Sequence, residues 1–234
     1  MNAYKKFAYC YDEVMQELDY HLWEEFTLPY LKQGDKILDL ACGTGTFLSI
    51  MHLNGYKCEG LDLSETIIEI AKEKAKLNRF DIKFHVADMT NFKLDSKFNV
   101  ITCYFDSVNF LEDKNDLKRM FKTVYNHLED NGYFIFDTFS KTLMKEYEGN
   151  VTLEDHESFK IDWRTKLLSN KSLEHTIKIT EFDDCYTEKY REHYYEFKDF
   201  DLTGFKLIKI AGDFNDDLEP TDERILYVLQ KIAL

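Results

Sequence analysis

Three acidic residues stand at the ends of short apolar segments, and two glycines follow the first of them. The acids are Asp39, within ILDLACGTGTF, Asp62, within LDL, and Asp88, within ADM. Gly43 and Gly45 carry no Cβ, so the backbone of that loop can approach a ligand closely. In an open parallel sheet, ligands bind beyond the carboxyl ends of the strands, where the strand order reverses. The pattern therefore predicts a ligand site where these segments end.

The spacing of the glycines differs from that of a dinucleotide-binding loop. A G-x-G-x-x-G fingerprint needs a third glycine, and Leu48 occupies that position. Asp39 would repel a pyrophosphate but suits a ligand that carries an ammonium group. A carboxylate at Asp62 can accept both hydroxyls of a ribose, and Asp88 can accept from the amino group of an adenine. Ammonium, ribose and adenine together describe S-adenosylmethionine (SAM).

Each of these residues also has a structural interpretation. Asp39 can cap the loop, and the two glycines can form an ordinary turn. Asp62 can start a helix beside Ser64, and Asp88 can be a loop acid. The four observations together favour the ligand site over these separate explanations.

The segments that position these residues alternate between strands and helices. Strands are predicted at 36–40, 56–63, 81–89, 98–105 and 133–139. A helix is predicted over 12–32, and two more carry the apolar stripes Ile67, Ile68, Ala71, Ala75 and Leu117, Met120, Phe121, Val124, Leu128. Ser64 is the predicted N-cap of the first of these two, and the EDNG turn at 129–132 is predicted to end the second. This alternation predicts a parallel sheet with helices on both faces.

The pattern changes after residue 150. Residues 156–197 alternate strictly between apolar and polar side chains, which predicts three antiparallel strands packed over the main sheet. One of them would place Arg191, His193, Tyr195 and Phe197 on a shared face, which we expect to turn toward the ligand cleft. Two last strands, 205–214 and 223–232, predict a hairpin-like pair at one edge of the sheet.

Several segments together resemble the class I SAM-dependent methyltransferases. The resemblance rests on DLACGTG, LDLSETII, VADM and ITCYFDSVNFL. Within that class, the sequence most resembles the small-molecule branch, which includes glycine and amino-sugar N-methyltransferases. The N-terminal Tyr-Asp helix of that branch is similar to YKKFAYCYDEV. One departure is that only KDFDLTG separates Phe197 from Phe205, where the family usually has a helix.

The resemblance implies a fold and a set of cofactor contacts. The fold would be α/β, with a Rossmann-like, doubly wound, seven-stranded, mostly parallel sheet and an antiparallel three-stranded lid insert. The chain would be a single domain over 1–234, with an N-terminal helical cap at 1–32 and substrate-lid strands at 151–199. The implied SAM contacts are Tyr11, Asp39, Ala41, Gly43, Gly45, Asp62, Leu63, Asp88, Met89, Cys103, Tyr104 and Phe105.

Candidate catalytic residues come from the expected lid and from the segment after the fourth strand. His193, beside Tyr195, can take a proton from an amine or hydroxyl nucleophile near neutral pH. Asp106 and Asn109 can orient a polar substrate, or they can cap the loop that contains them. His85, His127, His156 and His175 have no partner at metal-ligand spacing and are interpreted as structural, so no metal site is predicted.

Composition limits the classes of partner. The 44 Asp and Glu against 30 Lys and Arg give a net charge of −14, which opposes nucleic acid and anionic lipid. No apolar run reaches the roughly 18–20 residues that a membrane span needs. The five scattered cysteines and the absence of an apolar stretch in MNAYKKFAYCYDEV predict a cytoplasmic protein.

The sequence therefore predicts a methyltransferase that transfers a methyl group from SAM to nitrogen or oxygen of a small polar molecule. Three alternatives remain: a tRNA methyltransferase, a SAM-binding module without catalysis and a nicotinamide-dependent oxidoreductase. The site after the fourth strand reads CYFDS, without the proline-rich turn of enzymes that methylate base amino groups. The oligomeric state is expected to be a monomer or a homodimer.

Overall fold

The fold combines a seven-stranded sheet with a second sheet of four strands. A computed structural model describes residues 4–233. The helices are α1 (Phe7–Val14), α2 (His21–Thr27), α3 (Thr46–Leu53), α4 (Glu65–Asn78), α5 (Lys114–His127) and α6 (Lys141–Glu146), with 3₁₀ turns at Leu28–Tyr30, Ser107–Phe110 and Phe197–Asp199. The strands are β1 (Lys36–Leu40), β2 (Lys57–Asp62), β3 (Lys83–Val86), β4 (Phe98–Cys103), β5 (Leu128–Phe139), β6 (Val151–Asp155), β7 (Lys160–Ser169), β8 (Ser172–Glu181), β9 (Asp184–His193), β10 (Phe205–Gly212) and β11 (Arg224–Lys231).

The main sheet has the order β10-β11-β5-β4-β1-β2-β3. Strands β1 to β5 pair in parallel, whereas β11 runs antiparallel to both β5 and β10. The strand order reverses between β1 and β4, which places a crevice beyond their carboxyl ends. The predicted seven-stranded, mostly parallel sheet and its edge pair are confirmed.

Helices cover both faces of this sheet, as the apolar stripes predict. The stripe of α5 packs against residues such as Ile101 and Phe134 on one face. On the other face, α2, α3 and α4 pack against residues such as Val100 and Ile135. The hydroxyl oxygen of Ser64 accepts a hydrogen bond from the backbone N–H of Ile67, which confirms the predicted N-cap.

Two boundaries differ from the predictions. The segment 12–32 is not one helix but contains the end of α1, the separate helix α2 and a 3₁₀ turn. Helix α5 ends at His127, and β5 begins at Leu128 rather than after the EDNG turn. Within that turn, Asn131 adopts a left-handed conformation with φ 63°. As the sequence indicates, no α-helix lies between β9 and β10. That segment contains the 3₁₀ turn Phe197–Asp199 instead.

The lid contains four antiparallel strands, not the predicted three, in the order β6-β7-β8-β9. The additional strand is β6, whose Leu153 pairs with Asp162 of β7. The apolar inner face of the lid is covered by α1, since Phe7 and Cys10 pack against Ile161, Ile177 and other lid residues. The N-terminal helix and the lid therefore share one hydrophobic cluster. No helix among the described residues is long and apolar enough to cross a membrane.

Candidate active site

A cavity of about 920 Å³, including its mouth, lies beyond the carboxyl ends of β1, β2 and β3. It combines backbone from the glycine loop with acids from two strand ends and aromatic rings from the N-terminal segment. The residues that line it are Tyr4, Tyr11, Tyr20, Ala41, Cys42, Gly43, Thr44, Thr46, Phe47, Leu61, Asp62, Leu63, Ala87, Asp88, Met89, Phe105, Ser107 and Phe110. We call it the nucleoside cavity.

The glycine loop bends sharply between β1 and α3. Gly43 and Gly45 adopt left-handed conformations with φ 55° and φ 77°. A Cβ on Gly43 would meet nothing closer than a ring carbon of Tyr11 at 3.9 Å, so the loop leaves room in front of it. A Cβ on Gly45 would instead lie 2.8 Å from the ring of Phe84. Gly43 therefore opens the cavity, whereas Gly45 allows α3 to pack against β3.

Asp62 joins the loop to the end of β2. One of its carboxylate oxygens accepts from the backbone N–H of Gly43 at 3.2 Å, and the other accepts from that of Ser64 at 2.8 Å. Burial raises the pKa of Asp62, while these backbone N–H groups and that of Leu63 oppose the rise. The carboxylate is therefore held in one orientation at the cavity wall.

Asp88 follows β3, the strand that pairs with β2. Its carboxylate accepts from the backbone N–H of Thr90 at 2.8 Å and lies on the cavity lining together with Ala87 and Met89. Leu63 lies on the same lining. The two outer acids are thus brought together at one cavity, as their positions at strand ends predict.

Four other predicted contacts lie behind this lining. Gly45 packs on Phe84, and Cys103 is buried in the core beside Met89. Tyr104 is buried, with its hydroxyl 2.7 Å from that of Thr27. Asp39 is 3% exposed and accepts from the hydroxyl of Thr102 at 2.6 Å.

Burial raises the pKa of Asp39 to about 7, and the hydrogen bond from Thr102 opposes the rise. Near neutral pH both the protonated and the ionised form of the Asp39 carboxyl group are therefore populated. A positively charged ligand group nearby would favour its ionised form.

Aromatic rings from the N-terminal segment close the nucleoside cavity. Tyr4 and Tyr11 lie on its lining with ring centroids 5.8 Å apart, and burial raises the pKa of both phenols well above the usual value. The hydroxyl of Ser64 donates to the carbonyl of Tyr4 at 2.5 Å, which ties the segment to the start of α4. Sequence reasoning found Tyr11 but missed Tyr4 and Tyr20, although the density of tyrosines before residue 32 was a signal.

A second cavity of about 1190 Å³, including its mouth, adjoins the first. Tyr4, Tyr11, Phe105 and Phe110 line both cavities. The rest of its lining comes from the lid, from the end of α1 and the residues after it, from the loops after β4 and α6, and from the start of β11. These residues are Val14, Met15, Leu18, Asp106, Tyr147, Asn150, Thr152, Glu154, Trp163, Thr165, His175, Ile177, Tyr190, Glu192 and Arg224. We call it the acceptor cavity.

An ion-pair network forms one wall of the acceptor cavity. The guanidinium of Arg224 lies 2.9 Å from Asp106 and 3.1 Å from Asp137. Asp137 also accepts from the indole N–H of Trp23 at 2.6 Å and from the backbone N–H of Asp106 at 2.7 Å. Because two carboxylates neutralise Arg224, this wall does not offer a free positive charge.

The predicted catalytic residues separate into two groups. Asp106 lies on the acceptor cavity, but His193 and Tyr195 lie on neither lining, so the prediction that they face the cleft is wrong. Tyr195 is buried in the main core and donates to the carbonyl of Leu111 at 2.6 Å. The cause is register: Tyr190 and Glu192 point inward from β9, and adjacent strand residues point to opposite faces. Asn109 instead connects the 3₁₀ turn Ser107–Phe110 to the end of β9, since its amide donates to the carbonyl of His193 at 2.8 Å.

Sequence reasoning missed two functional candidates at the acceptor cavity, His175 and Glu192. His175 was interpreted as structural, yet it lies on the lining beside Glu192 of the neighbouring strand. Its signal in the sequence was a histidine on an otherwise apolar face with Leu173, Ile177 and Ile179. Within residues 4–233, no group of three His, Cys, Asp or Glu side chains is arranged to hold a metal ion.

Comparisons with known proteins agree with this arrangement. Residues 31–198 match the methyltransferase domain family. A protein named as a methyltransferase from Geobacillus sp. (strain WCH70) is 31% identical over 246 residues, covering 98% of this chain and 100% of that protein. The structure of a SAM-dependent methyltransferase from Clostridium acetobutylicum ATCC 824 is similar, with a TM-score of 0.85 and 27% identity over 97% of this chain and 98% of that one. A SAM-bound amino pentose methyltransferase from Micromonospora echinaspora shares the fold, with a TM-score of 0.70 and 17% identity over 99% of both chains.

The chain therefore belongs to the methyltransferase domain family and is a SAM-dependent methyltransferase. The nucleoside cavity fits that cofactor on its own features. It has an open loop at Gly43 and carboxylates at the ends of two neighbouring strands.

Proposed function

We propose that the protein transfers the methyl group of SAM to nitrogen or oxygen of a small polar molecule bound in the acceptor cavity. The observation that carries this proposal is the aromatic wall shared by the two cavities. The two cavities adjoin at Tyr4, Tyr11, Phe105 and Phe110, which line both of them. A direct transfer between two bound molecules needs binding sites that adjoin in this way.

In this proposal Asp62 binds the ribose hydroxyls, and Asp88 and Met89 border the adenine. The loop around Ala41 and Gly43 holds the amino-acid part of the cofactor. Leu63 and Phe105 pack on the adenosine, and Tyr11 covers its sulfonium end. Asp39, Gly45, Cys103 and Tyr104 act from behind the lining, where they shape the loop and the fourth strand.

SAM supplies an electrophilic methyl group on a positively charged sulfur. The protein then has to align the nucleophile opposite the sulfur and exclude water. The aromatic wall and the lid serve both requirements, because they enclose the meeting point of the two cavities. Asp106, fixed by Arg224, is placed to orient a polar acceptor.

The lining of the acceptor cavity supports a small polar acceptor. It carries the carboxylates of Asp106, Glu154 and Glu192 together with Thr152 and Asn150. The single Arg224 is neutralised by its own ion pairs. This surplus of negative charge favours an amine over an anionic acceptor, and the similar fold of an amino pentose methyltransferase points the same way.

The experiment is a screen of a bacterial small-molecule extract with isotopically labelled SAM, read by mass spectrometry. A small molecule that gains a labelled methyl group supports the proposal. Label in bulk tRNA, offered in a parallel reaction, would support the nucleic-acid alternative. Tight SAM binding without turnover in either reaction would favour a SAM-binding module without catalysis. Binding of NADH without binding of SAM would contradict the proposal at its first step.

The cellular setting belongs to the same proposal. All five cysteines are unpaired, and Cys10, Cys42, Cys58 and Cys103 are buried. Free thiols suit the reducing cytoplasm, which we propose as the location. The protein is proposed to act as a monomer or a homodimer.

A further inference from the structure

A chain of hydrogen bonds crosses the inner face of the lid and ends at a carboxylate in the acceptor cavity. The indole N–H of Trp163 on β7 donates to Nδ1 of His175 on β8 at 3.0 Å. The hydroxyl of Thr165 also lies 3.0 Å from Nδ1. Nε2 of His175 lies 3.2 Å from Oε2 of Glu192 on β9. Trp163, Thr165, His175 and Glu192 all line the acceptor cavity.

The chemistry of the partners fixes the direction of these bonds. An indole nitrogen only donates, so Nδ1 of His175 is the acceptor. A neutral imidazole then carries its hydrogen on Nε2 and donates it to Glu192. This leaves Nδ1 without a free lone pair for a substrate. The group that remains available to the acceptor is the carboxylate of Glu192, and His175 holds it in place.

Glu192 is an unusual group for this position. It is 7% exposed, and its Oε2 lies 3.2 Å from Nε2 of His175. Burial raises the pKa of Glu192, and the hydrogen bond with His175 opposes the rise. Because Glu192 also lies on the lining of the acceptor cavity, a polar group bound there can hydrogen-bond to its carboxylate.

Charged and titratable groups of five other segments act on Glu192. His175 faces it from β8, Asp106 from the loop after β4 and Arg224 from β11. Tyr4, in the segment before α1, and Tyr147, after α6, also interact with its charge. Tyr190, two residues before Glu192 on the same face of β9, packs with its ring centroid 4.7 Å from that of Tyr4, which lines both cavities.

We propose that Glu192 is the catalytic residue that takes the proton from the nucleophilic nitrogen or hydroxyl of the acceptor, and that His175 is its positioning residue. This inference rests on the proposed function. An amine enters as ammonium and gives one proton to the carboxylate of Glu192, which becomes a carboxylic acid. The free lone pair on nitrogen then forms a bond to the methyl carbon, and the bond between that carbon and sulfur breaks. Its electron pair stays on sulfur, leaving a neutral thioether and a methylated ammonium.

The decisive variant is Glu192→Gln, which keeps the shape and a carbonyl acceptor for His175. Its rate with [methyl-³H]SAM is measured with glucosamine, ethanolamine and a bacterial small-molecule extract as acceptors. We expect kcat at pH 7 to fall by about 10²–10⁴-fold and to recover as the pH approaches the pKa of the amine itself. SAM affinity, measured by calorimetry, is expected to stay within a factor of about two.

The matched control is Glu174→Gln. Glu174 lies on β8 beside His175 but on the outer face of the lid, where it pairs with Lys189 and Arg191. Its loss removes one negative charge from the lid without touching the acceptor cavity. We expect the rate and its pH profile to match those of the wild type.

The role of His175 has a separate readout. In His175→Leu the carboxylate of Glu192 loses its hydrogen-bond donor, so its pKa rises and the acid limb of the pH–rate profile moves to higher pH. His175→Gln keeps an N–H donor and should retain the wild-type limb.

The possible failures can be told apart. If the wild type labels no acceptor, the proposed function fails and this inference with it. If the wild type is active and Glu192→Gln matches it, Glu192 is not the proton acceptor, although the methyl transfer stands. Equal acid limbs in His175→Leu and the wild type overturn the positioning role.

Discussion

The carboxylate of Glu188, on lid strand β9, caps the helix that begins at Phe7. It accepts from the backbone N–H of Phe7 at 3.2 Å and from that of the preceding Lys6 at 2.6 Å. The first N–H groups of a helix have no partner within the helix, and the helix dipole adds partial positive charge there. One lid residue therefore holds the segment that closes both cavities.

Replacing Glu188 with alanine should weaken that closure. Loss of a helix cap costs about 1–2 kcal/mol. If closure and binding are coupled, SAM affinity falls by about 5–30-fold. Isothermal titration calorimetry measures the change. The control is Glu181→Gln, which removes a surface ion pair with Lys6 (2.6 Å) and should leave the affinity unchanged. Equal affinities for Glu188→Ala and the wild type would contradict the coupling.

Asp62→Ala tests the ribose assignment. Removing a charged hydrogen-bond partner should cost about 1.5–3 kcal/mol. This corresponds to roughly 10–100-fold in SAM affinity, measured by calorimetry. Glu59→Gln, on the same strand but paired with His85, is the control and should bind SAM normally. The ribose assignment is wrong if Asp62→Ala binds SAM as well as the parent does.

The stability of the ligand-free protein should depend on the ionisation of Asp39. Its pKa is raised from 3.8 to about 7 by burial, so the folded state keeps the proton longer than the unfolded state does. The contribution of Asp39 to stability is therefore full below pH 4 and declines as the pH rises to about 7, by roughly 4 kcal/mol.

Asp39→Asn isolates this effect, because an amide does not ionise and still offers an oxygen to Thr102. The free energy of unfolding, measured with urea from pH 4 to 8, should fall more steeply in the wild type than in the variant. Parallel curves for the two proteins would show that Asp39 ionises normally in the folded state.

Gly45→Ala and Gly34→Ala separate backbone strain from steric overlap. Both glycines have positive φ, 77° and 83°, so alanine costs about 1–2 kcal/mol at either position. Only at Gly45 would the new Cβ also meet the ring of Phe84, at 2.8 Å, whereas Gly34 has open space. Urea unfolding should show Gly45→Ala to be less stable than Gly34→Ala by a further 1–3 kcal/mol, roughly. Equal losses would mean that Phe84 moves aside freely.

Much of the main sheet was predictable because its signals are local. Strand β1 has the predicted bounds 36–40, and the apolar stripe of α4 is buried as predicted. The carboxyl ends of parallel strands meet at one end of the sheet, so acids at those ends converge without any knowledge of distant contacts. This is why Asp62 and Asp88 were found together.

The lid was harder because its inner face is polar where it lines a cavity. In β6, Val151 and Leu153 are exposed, whereas Thr152 and Glu154 line the acceptor cavity. A pattern that turns polar residues inward does not indicate a strand over a hydrophobic core, so β6 was missed. In β9, the predicted inward-facing set is displaced by one residue, so the sequence pattern assigned His193 to the cavity in place of Glu192. Neither feature can be read without the pairing of the strands.

The wall that Tyr4 and Tyr11 contribute to both cavities has a consequence for repeated methylation. If this segment withdraws to exchange spent cofactor, it also uncovers the product, because the same two side chains line both cavities. For a nitrogen acceptor, as proposed above, we would then expect release between two rounds of methylation, with singly methylated molecules accumulating in solution first. Catalysis of that kind would be distributive and not processive.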